Sequence, residues 1–302
     1  MSVLELSTDQ VSLKTKPGET ILEASLASGI KHAHACGGHA FCSTCRVLIE
    51  DGLEQLEERN EAEQKLATQL GLPPEIRLAC QTVPKSDVKA RRLVLDSLDE
   101  DLILEFGKSE ELRSLGEEKQ ASVLFVDIAD YTAFTEKSLA YDVVHILNRY
   151  FYIAGNVIKQ HKGRIIDYYG DGFLAIFGID GEPDHAQNLV NAGFALQQAI
   201  TRFDHDIHPL MDQFFQIRLG AHTGKIIWGT IGIEGMQKQA AIGDTVNFAS
   251  RIEQANKALN SQFLISEALY DSLDTKPQAY TSHEIEVKGK AGKHAVYALE
   301  RS

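Results

Sequence analysis

The chain has 302 residues, 43% of them hydrophobic and 24% charged, and a formal net charge of −13 at pH 7. That length favours two domains with separate cores, and the acidic balance argues against a nucleic-acid surface, which needs clustered Lys and Arg to neutralise phosphates. No apolar run approaches the ~20 residues that cross a membrane, and the opening Met1-Ser2-Val3-Leu4-Glu5 lacks a secretory pattern, so a cytoplasmic protein with no membrane span is expected.

Short strands are expected at Val3–Leu6 and Val11–Lys14, then a turn at Pro17-Gly18 and a helix from Glu19 to Ser28 that stops at Gly29. A loop rich in Gly, His and Cys runs from His32 to Cys45, and Arg46–Glu50 reads as the strand leaving it. From Glu50 to Glu63 there are seven acids against one Arg, which reads as a solvated face that can meet a basic redox partner. A helix over Asn60–Leu70 precedes Gly71 and the Pro73-Pro74 break, and Leu78–Thr82 and Val88–Leu93 are expected to close this part. Leu95, Leu98, Leu102 and Phe106 recur at helical spacing, which predicts a helical or coiled-coil connector over 93–116.

Strands and helices alternate from Ala121 onward: a strand at Ser122–Val126, an amphipathic helix over Leu139–His161 ending at Gly163, and a hairpin of Arg164–Tyr168 and Phe173–Phe177 around Gly170-Asp171-Gly172. A helix over Asp184–Phe203 leads to strands at Gln216–His222 and Lys225–Ile231. A helix at Asp244–Ala258, a strand at Phe263–Ser266 and a terminal hairpin finish the chain. The pattern is α+β with a mixed sheet, and the domains fall at 1–92 and 117–302.

Four cysteines, all within the first 80 residues, are spaced Cys36-x5-Cys42-x2-Cys45 with Cys80 alone after 34 further residues. In a cytosolic chain such a cluster speaks for a metal site over a disulfide framework. Four thiolates are the full complement for a [2Fe–2S] cluster, and Gly37 and Gly38 let backbone N–H groups approach its sulfurs. Structural zinc is the alternative, but zinc usually takes its ligands as two paired knuckles, whereas three are crowded here. His32, His34 and His39 read as solvated loop residues. The run from Cys36 to Cys45, with Arg77-Leu78-Ala79-Cys80-Gln81, resembles the adrenodoxin-like branch of the [2Fe–2S] ferredoxins. The resemblance implies a β-grasp domain whose cluster is held by Cys36, Cys42, Cys45 and Cys80.

In the second half, Asp127 stands at a strand end and Asp171 at a hairpin tip, positions that can bring two carboxylates together around a pair of metal ions. Ile128–Thr132 enters a short helix whose free N–H groups suit phosphate. Asn247 and Arg251, four apart, share one helical face; an amide for a ribose and a guanidinium for charge on an α-phosphate suit intramolecular phosphoryl transfer.

Val123-Leu124-Phe125-Val126-Asp127-Ile128, Gly170-Asp171-Gly172-Phe173-Leu174-Ala175, His222-Thr223-Gly224 and Val246-Asn247-x3-Arg251 resemble the class III adenylate and guanylate cyclases. The resemblance implies a ferredoxin-like α/β catalytic domain in a head-to-tail homodimer with sites at the interface. It implies two Mg²⁺ or Mn²⁺ on Asp127, Ile128 and Asp171 of one protomer, and catalysis by Asn247 and Arg251 of the other. Ile128 and Thr132 would contact substrate, and Lys288 or Lys290 the triphosphate. His222 belongs to the interface scaffold, and Trp228 to packing or the dimer contact. The expected reaction turns ATP into 3′,5′-cyclic AMP and pyrophosphate under the influence of the cluster and a redox donor.

Two positions depart from that family's pattern. Its usual base-reading Lys (or Glu) is replaced by Asp167, and its second reader by Ala240. An ionised carboxylate accepts from adenine N6 or guanine N1 and N2 but cannot donate to adenine N1, and Ala240 offers no side-chain hydrogen bond. GTP therefore stands beside ATP as a substrate, and a catalytically silent nucleotide-binding module is the other alternative.

Overall fold

The computed structural model describes residues 2–34, 36–92, 116–211, 215–232, 235–287 and 292–300. It divides into two compact units, Met1–Gly116 and Glu117–Ser302. The helical connector expected over 93–116 lies, but for Gly116, outside the described residues, as do Lys288 and Lys290.

The first unit is a five-stranded mixed sheet in the order β2-β1-β5-β3-β4. Its strands are β1 (Ser2–Leu6), β2 (Val11–Thr15), β3 (Arg46–Asp51), β4 (Ile76–Leu78) and β5 (Val88–Arg92). β1 and β5 run parallel and the other pairs antiparallel, a β-grasp arrangement. Alternation in β1 sends Leu4 and Leu6 into a core with Ile21, Val47, Leu78 and Ala90. Helix α1 (Ile21–Ala27) starts two residues later than the sequence pattern predicts, because Thr20 and Glu23 close a reciprocal capping box. Helix α2 (Glu61–Leu70) is capped by Asn60 and stops at Gly71 in the left-handed region.

Three expectations need correction here. Leu78–Thr82 is not a strand: β4 ends at Leu78, and the chain turns so that Gln81 and Thr82 amides return to the Leu78 carbonyl. Glu63 leaves the acidic face. Its carboxylate is 1% exposed and grips Arg77 at 2.9 and 2.8 Å, while also accepting the Leu78 amide at 2.8 Å. His32 is 2% exposed rather than solvated, with Nδ1 3.2 Å from Ser25 Oγ.

The second unit carries one sheet in the order β12-β13-β11-β9-β6-β8-β7, with β10 added to β9. In chain order its elements are β6 (Glu117–Ile128), α3 (Tyr131–Lys137), α4 (Ala140–Gln160), β7 (Gly163–Tyr169), β8 (Gly172–Phe177) and α5 (His185–Met211). Then come β9 (Ile217–Ile231), β10 (Lys238–Ile242), α6 (Asp244–Leu259), β11 (Phe263–Ser266), α7 (Glu267–Asp271), β12 (Tyr280–Glu286) and β13 (Lys293–Leu299). Leu124, Val126, Phe173 and Phe177 face α4 and α5 on one side, with Tyr150 and Leu189. Val123, Leu174 and Ile176 face the other side with Trp228, Val246 and Ala249, so Trp228 is packing. Both faces of β8 are covered, which is why all six of its residues are buried.

The strand pair expected at 216–222 and 225–231 is one fifteen-residue strand, β9. Thr223-Gly224 does not break it, because Gly224 lets Thr245 of α6 approach: a Cβ there would stand 2.7 Å from Thr245 Oγ1.

Candidate active site

Pairing along β6 and β8 fixes the central geometry. β6 ends at Ile128 beside the turn that joins β7 to β8, so Asp127 and Asp171 come together and their carboxyls hydrogen-bond. The Ile128 amide donates to Asp171 Oδ2 at 3.2 Å. The Tyr169 hydroxyl, shared between the carbonyls of Val126 (3.2 Å) and Phe173 (3.1 Å), staples the turn to β6. Gly172 is required, since a Cβ there would stand 2.4 Å from the Tyr169 ring and 2.7 Å from the Val126 carbonyl oxygen. Burial, then the hydrogen bond and charge of Asp171, push the Asp127 carboxyl up to about 7.

The pair lies in a cleft of about 680 Å³ lined also by Thr132, Arg218, Glu253 and Lys257. Arg218 sits opposite Asp127 in the β6–β9 register and reaches Asp130 at 3.7 Å. Glu253 projects from α6, whose backbone packs directly on Gly220; a Cβ at 220 would fall 2.0 Å from the Glu253 amide nitrogen. Burial and the neighbouring Asp127 raise the Glu253 carboxyl to about 7. Sequence reading missed Arg218, Glu253 and Lys257. Helical spacing was the available signal for Glu253 and Lys257, four apart on α6.

Among the described residues no group of three or more His, Cys, Asp or Glu gathers closely enough to hold a metal. Asp127 and Asp171 are a pair of carboxyls, Asp127 driven towards its neutral form, whose crowding a divalent cation would relieve. The residues therefore fit a metal site built on Asp127 and Asp171, with Ile128 at its edge.

Asn247 and Arg251 are placed elsewhere. Both are exposed on α6, Arg251 donates to Gln254 Oε1 at 3.2 Å, and neither lines the cleft with the aspartates. Asp167 lies on β7 beside a bulge between Ile165 and Asp167, and Lys238 Nζ of β10 donates to its Oδ2 at 2.7 Å. Ala240 follows on β10, opposite Gly229. His222 Nδ1 lies 2.7 Å from Ser266 Oγ, a link between β9 and β11. Within one chain the acids and Arg218 line the cleft, while Asn247, Arg251, Asp167 and Lys238 do not line it.

In the first unit the cysteines form two neighbouring pairs. Cys45 Sγ is 3.5 Å from Cys80 Sγ, and Cys36 is hydrogen-bonded to Cys42. Burial opposes ionisation of Cys36, but Cys42 and the amides of Phe41, His39 and Cys42 outweigh it and lower its pKa. The Cys45 thiol donates to Cys80, which together with Gln81 Nε2 (3.4 Å) and the Ala40 amide brings the Cys80 thiol down to about 6. Gly37 and Gly38 take positive φ to aim this loop. N–H donors around Cys36 and Cys80 are what anionic sulfurs require, while the hydrogen bond to Cys80 and burial push the Cys45 thiol up; four cysteines of this kind fit a [2Fe–2S] group.

Residues 115–301 match the family described as "Adenylate and Guanylate cyclase catalytic domain", and residues 4–85 match the "2Fe-2S iron-sulfur cluster binding domain". Among curated proteins, "Adenylate cyclase 1" of Rhizobium meliloti is 30% identical over 152 residues, which are 50% of this chain and 23% of that protein. "Adenylate cyclase" of Anabaena cylindrica is 29% identical over 190 residues, 60% of this chain and 37% of that protein. The chain thus spans well under half the length of these relatives. The solved guanylyl cyclase Cya2 superposes with a TM-score of 0.56 at 26% identity, over 60% of this chain and 92% of that one. The adenylyl cyclase CyaB from P. aeruginosa gives 0.55 at 25% identity, over 62% and 96%.

Proposed function

The chain belongs, through residues 115–301, to the family of adenylate and guanylate cyclase catalytic domains, and from that premise we propose that it converts ATP into 3′,5′-cyclic AMP and pyrophosphate. The observation that carries this reading is the hydrogen-bonded pair Asp127 and Asp171 in an open cleft with Arg218. Mg²⁺ or Mn²⁺ bound there supplies the charge that acidifies a 3′-hydroxyl and neutralises a pyrophosphate leaving group. Asp127, Asp171 and the Ile128 backbone hold the metals; Thr132, Arg218 and Lys257 orient the triphosphate beside them, with Lys288 or Lys290 as further cationic contacts.

Asn247 positions the ribose and Arg251 meets charge on the α-phosphate, both from a second copy of the chain in a head-to-tail homodimer. The support is their separation from the acid cleft within one chain. Asp167 and Ala240 border the base. Asp167 as an acceptor also suits the donor edge of guanine, which keeps GTP as the second reading.

Residues 4–85 are proposed to carry a [2Fe–2S] cluster on Cys36, Cys42, Cys45 and Cys80 that governs the rate of the cyclase. Plant-type clusters lie near about −400 mV, below a cytosolic poise of roughly −220 to −320 mV. The resting cluster is then oxidised, and regulation needs a strong redox donor or loss of the cluster.

The test is a Mg²⁺ and Mn²⁺ assay of anaerobically purified protein with ATP and with GTP. Cyclic AMP supports the proposal, cyclic GMP alone moves it to the second reading, and binding without product favours a silent module. Equal rates for oxidised and dithionite-reduced protein remove redox control.

A further inference from the structure

Resting on the cyclase reading above, we propose that Lys238 and Asp167 together read the base, Lys238 donating to adenine N1 while Asp167 accepts from adenine N6. Lys238 is thereby a specificity-determining residue, and the hydrogen-bond donor that position 167 lacks is returned from the neighbouring strand.

Lys238 Nζ donates to Asp167 Oδ2 at 2.7 Å, bridging β10 to β7 across 71 residues of sequence. Both side chains stay half exposed, 53% and 45%, so a ligand can reach them. Neither is saturated. An ammonium carries three donors and a carboxylate about four acceptor sites, so after their mutual bond each keeps capacity for a partner. The pair presents a fixed donor beside a fixed acceptor.

That is the complement of adenine's Watson–Crick edge, where the acceptor N1 adjoins the N6 amino donor; bases are read on this edge by such paired contacts. Asp167 alone would leave N1 unmatched.

The placement agrees. Lys238 and Ala240 are two apart on β10, so their side chains share one face. Ala240 stands opposite Gly229 of β9, which leaves the floor beside the pair low and without side-chain hydrogen bonds. β10 runs straight through Gly243 into α6, which bears Asn247 and Arg251, while β7 runs into the turn that bears Asp171. The β7 bulge after Ile165 turns Asp167 out of the regular alternation, a device common beside active sites.

As a bare surface ion pair the contact is worth little to the fold, so its removal leaves stability intact and isolates the ligand role. The experiment compares kcat/KM for ATP, 1-deaza-ATP (N1 replaced by C–H) and GTP in the full-length protein and in Lys238→Ala. A lost hydrogen bond to a charged donor lowers kcat/KM for ATP about 10–100-fold. Turnover of 1-deaza-ATP stays unchanged, since that substrate never made the contact, and the melting temperature does not move. Equal losses with ATP and 1-deaza-ATP overturn the assignment, as does no loss with ATP or a loss confined to GTP. Wild-type protein that turns over no nucleotide defeats the cyclase reading instead; calorimetric binding of ATP against 1-deaza-ATP then makes the same comparison.

Discussion

The amide of Ile128 donates to the carboxylate of Asp171 at 3.2 Å, locking the end of one strand onto the turn of a hairpin 43 residues further along the chain. That bond holds Asp171 against Asp127 before any cation arrives. On the proposed metal role, Asp127→Asn and Asp171→Asn leave the fold intact but remove a ligand, which would cost several kcal/mol of transition-state stabilisation, or about 10³-fold in rate. Mn²⁺-dependent product formation and far-UV circular dichroism check both halves of the expectation; activity within tenfold of wild type would sink the metal assignment.

The same crowding sets a pH dependence. Asp127 and Glu253 hold protons up to about 7 in the folded, metal-free protein, whereas unfolded carboxylates release theirs near 4. Between about pH 4 and 7 the folded state binds more protons than the unfolded one. Their contribution to stability is thus full below about 4 and lost as the pH rises through 7. Metal has to displace those protons, so its apparent affinity falls as pH drops below 7, by up to about tenfold per unit for each proton released. Calorimetric titration with Mn²⁺ at pH 6, 7 and 8 reads this directly, and Glu253→Gln, which leaves Asp127 and Asp171 in place, flattens the part of the profile due to the Glu253 proton.

Helix α6 owes its position to Gly220. Adding one methyl places a Cβ 2.0 Å from the Glu253 amide, so Gly220→Ala forces the helix off the sheet and costs about 1–3 kcal/mol. For a unit of this size the melting temperature falls about 2–4 °C per kcal/mol. Gly155→Ala is the control. Gly155 lies within α4 with open space around its Cβ direction, so alanine is expected to stabilise by up to about 1 kcal/mol through helix propensity.

In the first unit, Glu63→Ala leaves Arg77 buried, 5% exposed, without its carboxylate. Removing one partner of a buried pair costs about 3–5 kcal/mol. Arg77 begins the segment that delivers Cys80, so cluster absorbance is lost together with stability. Urea unfolding followed by far-UV circular dichroism, and visible absorption of the same samples, measure the two effects; a cluster that survives in an unstable variant separates them.

Several of these features were legible in the sequence because they are local. The Cys36–Cys45 spacing, the Gly170-Asp171-Gly172 turn and the Asn247–Arg251 interval each fall within a dozen residues, and the structure builds that turn between β7 and β8 and puts Asn247 and Arg251 on α6. What escaped depends on distant partners. β10 was missed because its side chains are largely exposed and give no alternation. Lys238 finds Asp167 only through the β7–β10 approach, and Glu63 left its acidic run because Arg77 was waiting inside. Thr223-Gly224 looked like a strand break until α6 was seen to pack on Gly224.

Within one chain, Asn247 and Arg251 do not line the cleft that holds Asp127 and Asp171. Arg251 is solvent-facing and donates to Gln254 in its own helix at 3.2 Å, while Asp127 lies in the cleft. If catalysis joins these groups across a head-to-tail dimer, Asp127→Asn and Arg251→Ala are each inactive alone for different reasons. Mixed in equal amounts, half the dimers carry one copy of each, and each such dimer has one site with both residues intact. Activity then returns to about a quarter of wild type, as two-fold closed symmetry requires. Co-expression with two affinity tags, followed by tandem purification and assay, isolates the mixed dimer. There the expected activity is about half that of wild type, and a mixed dimer as dead as its parents means that Asp127 and Arg251 serve the same site from one chain.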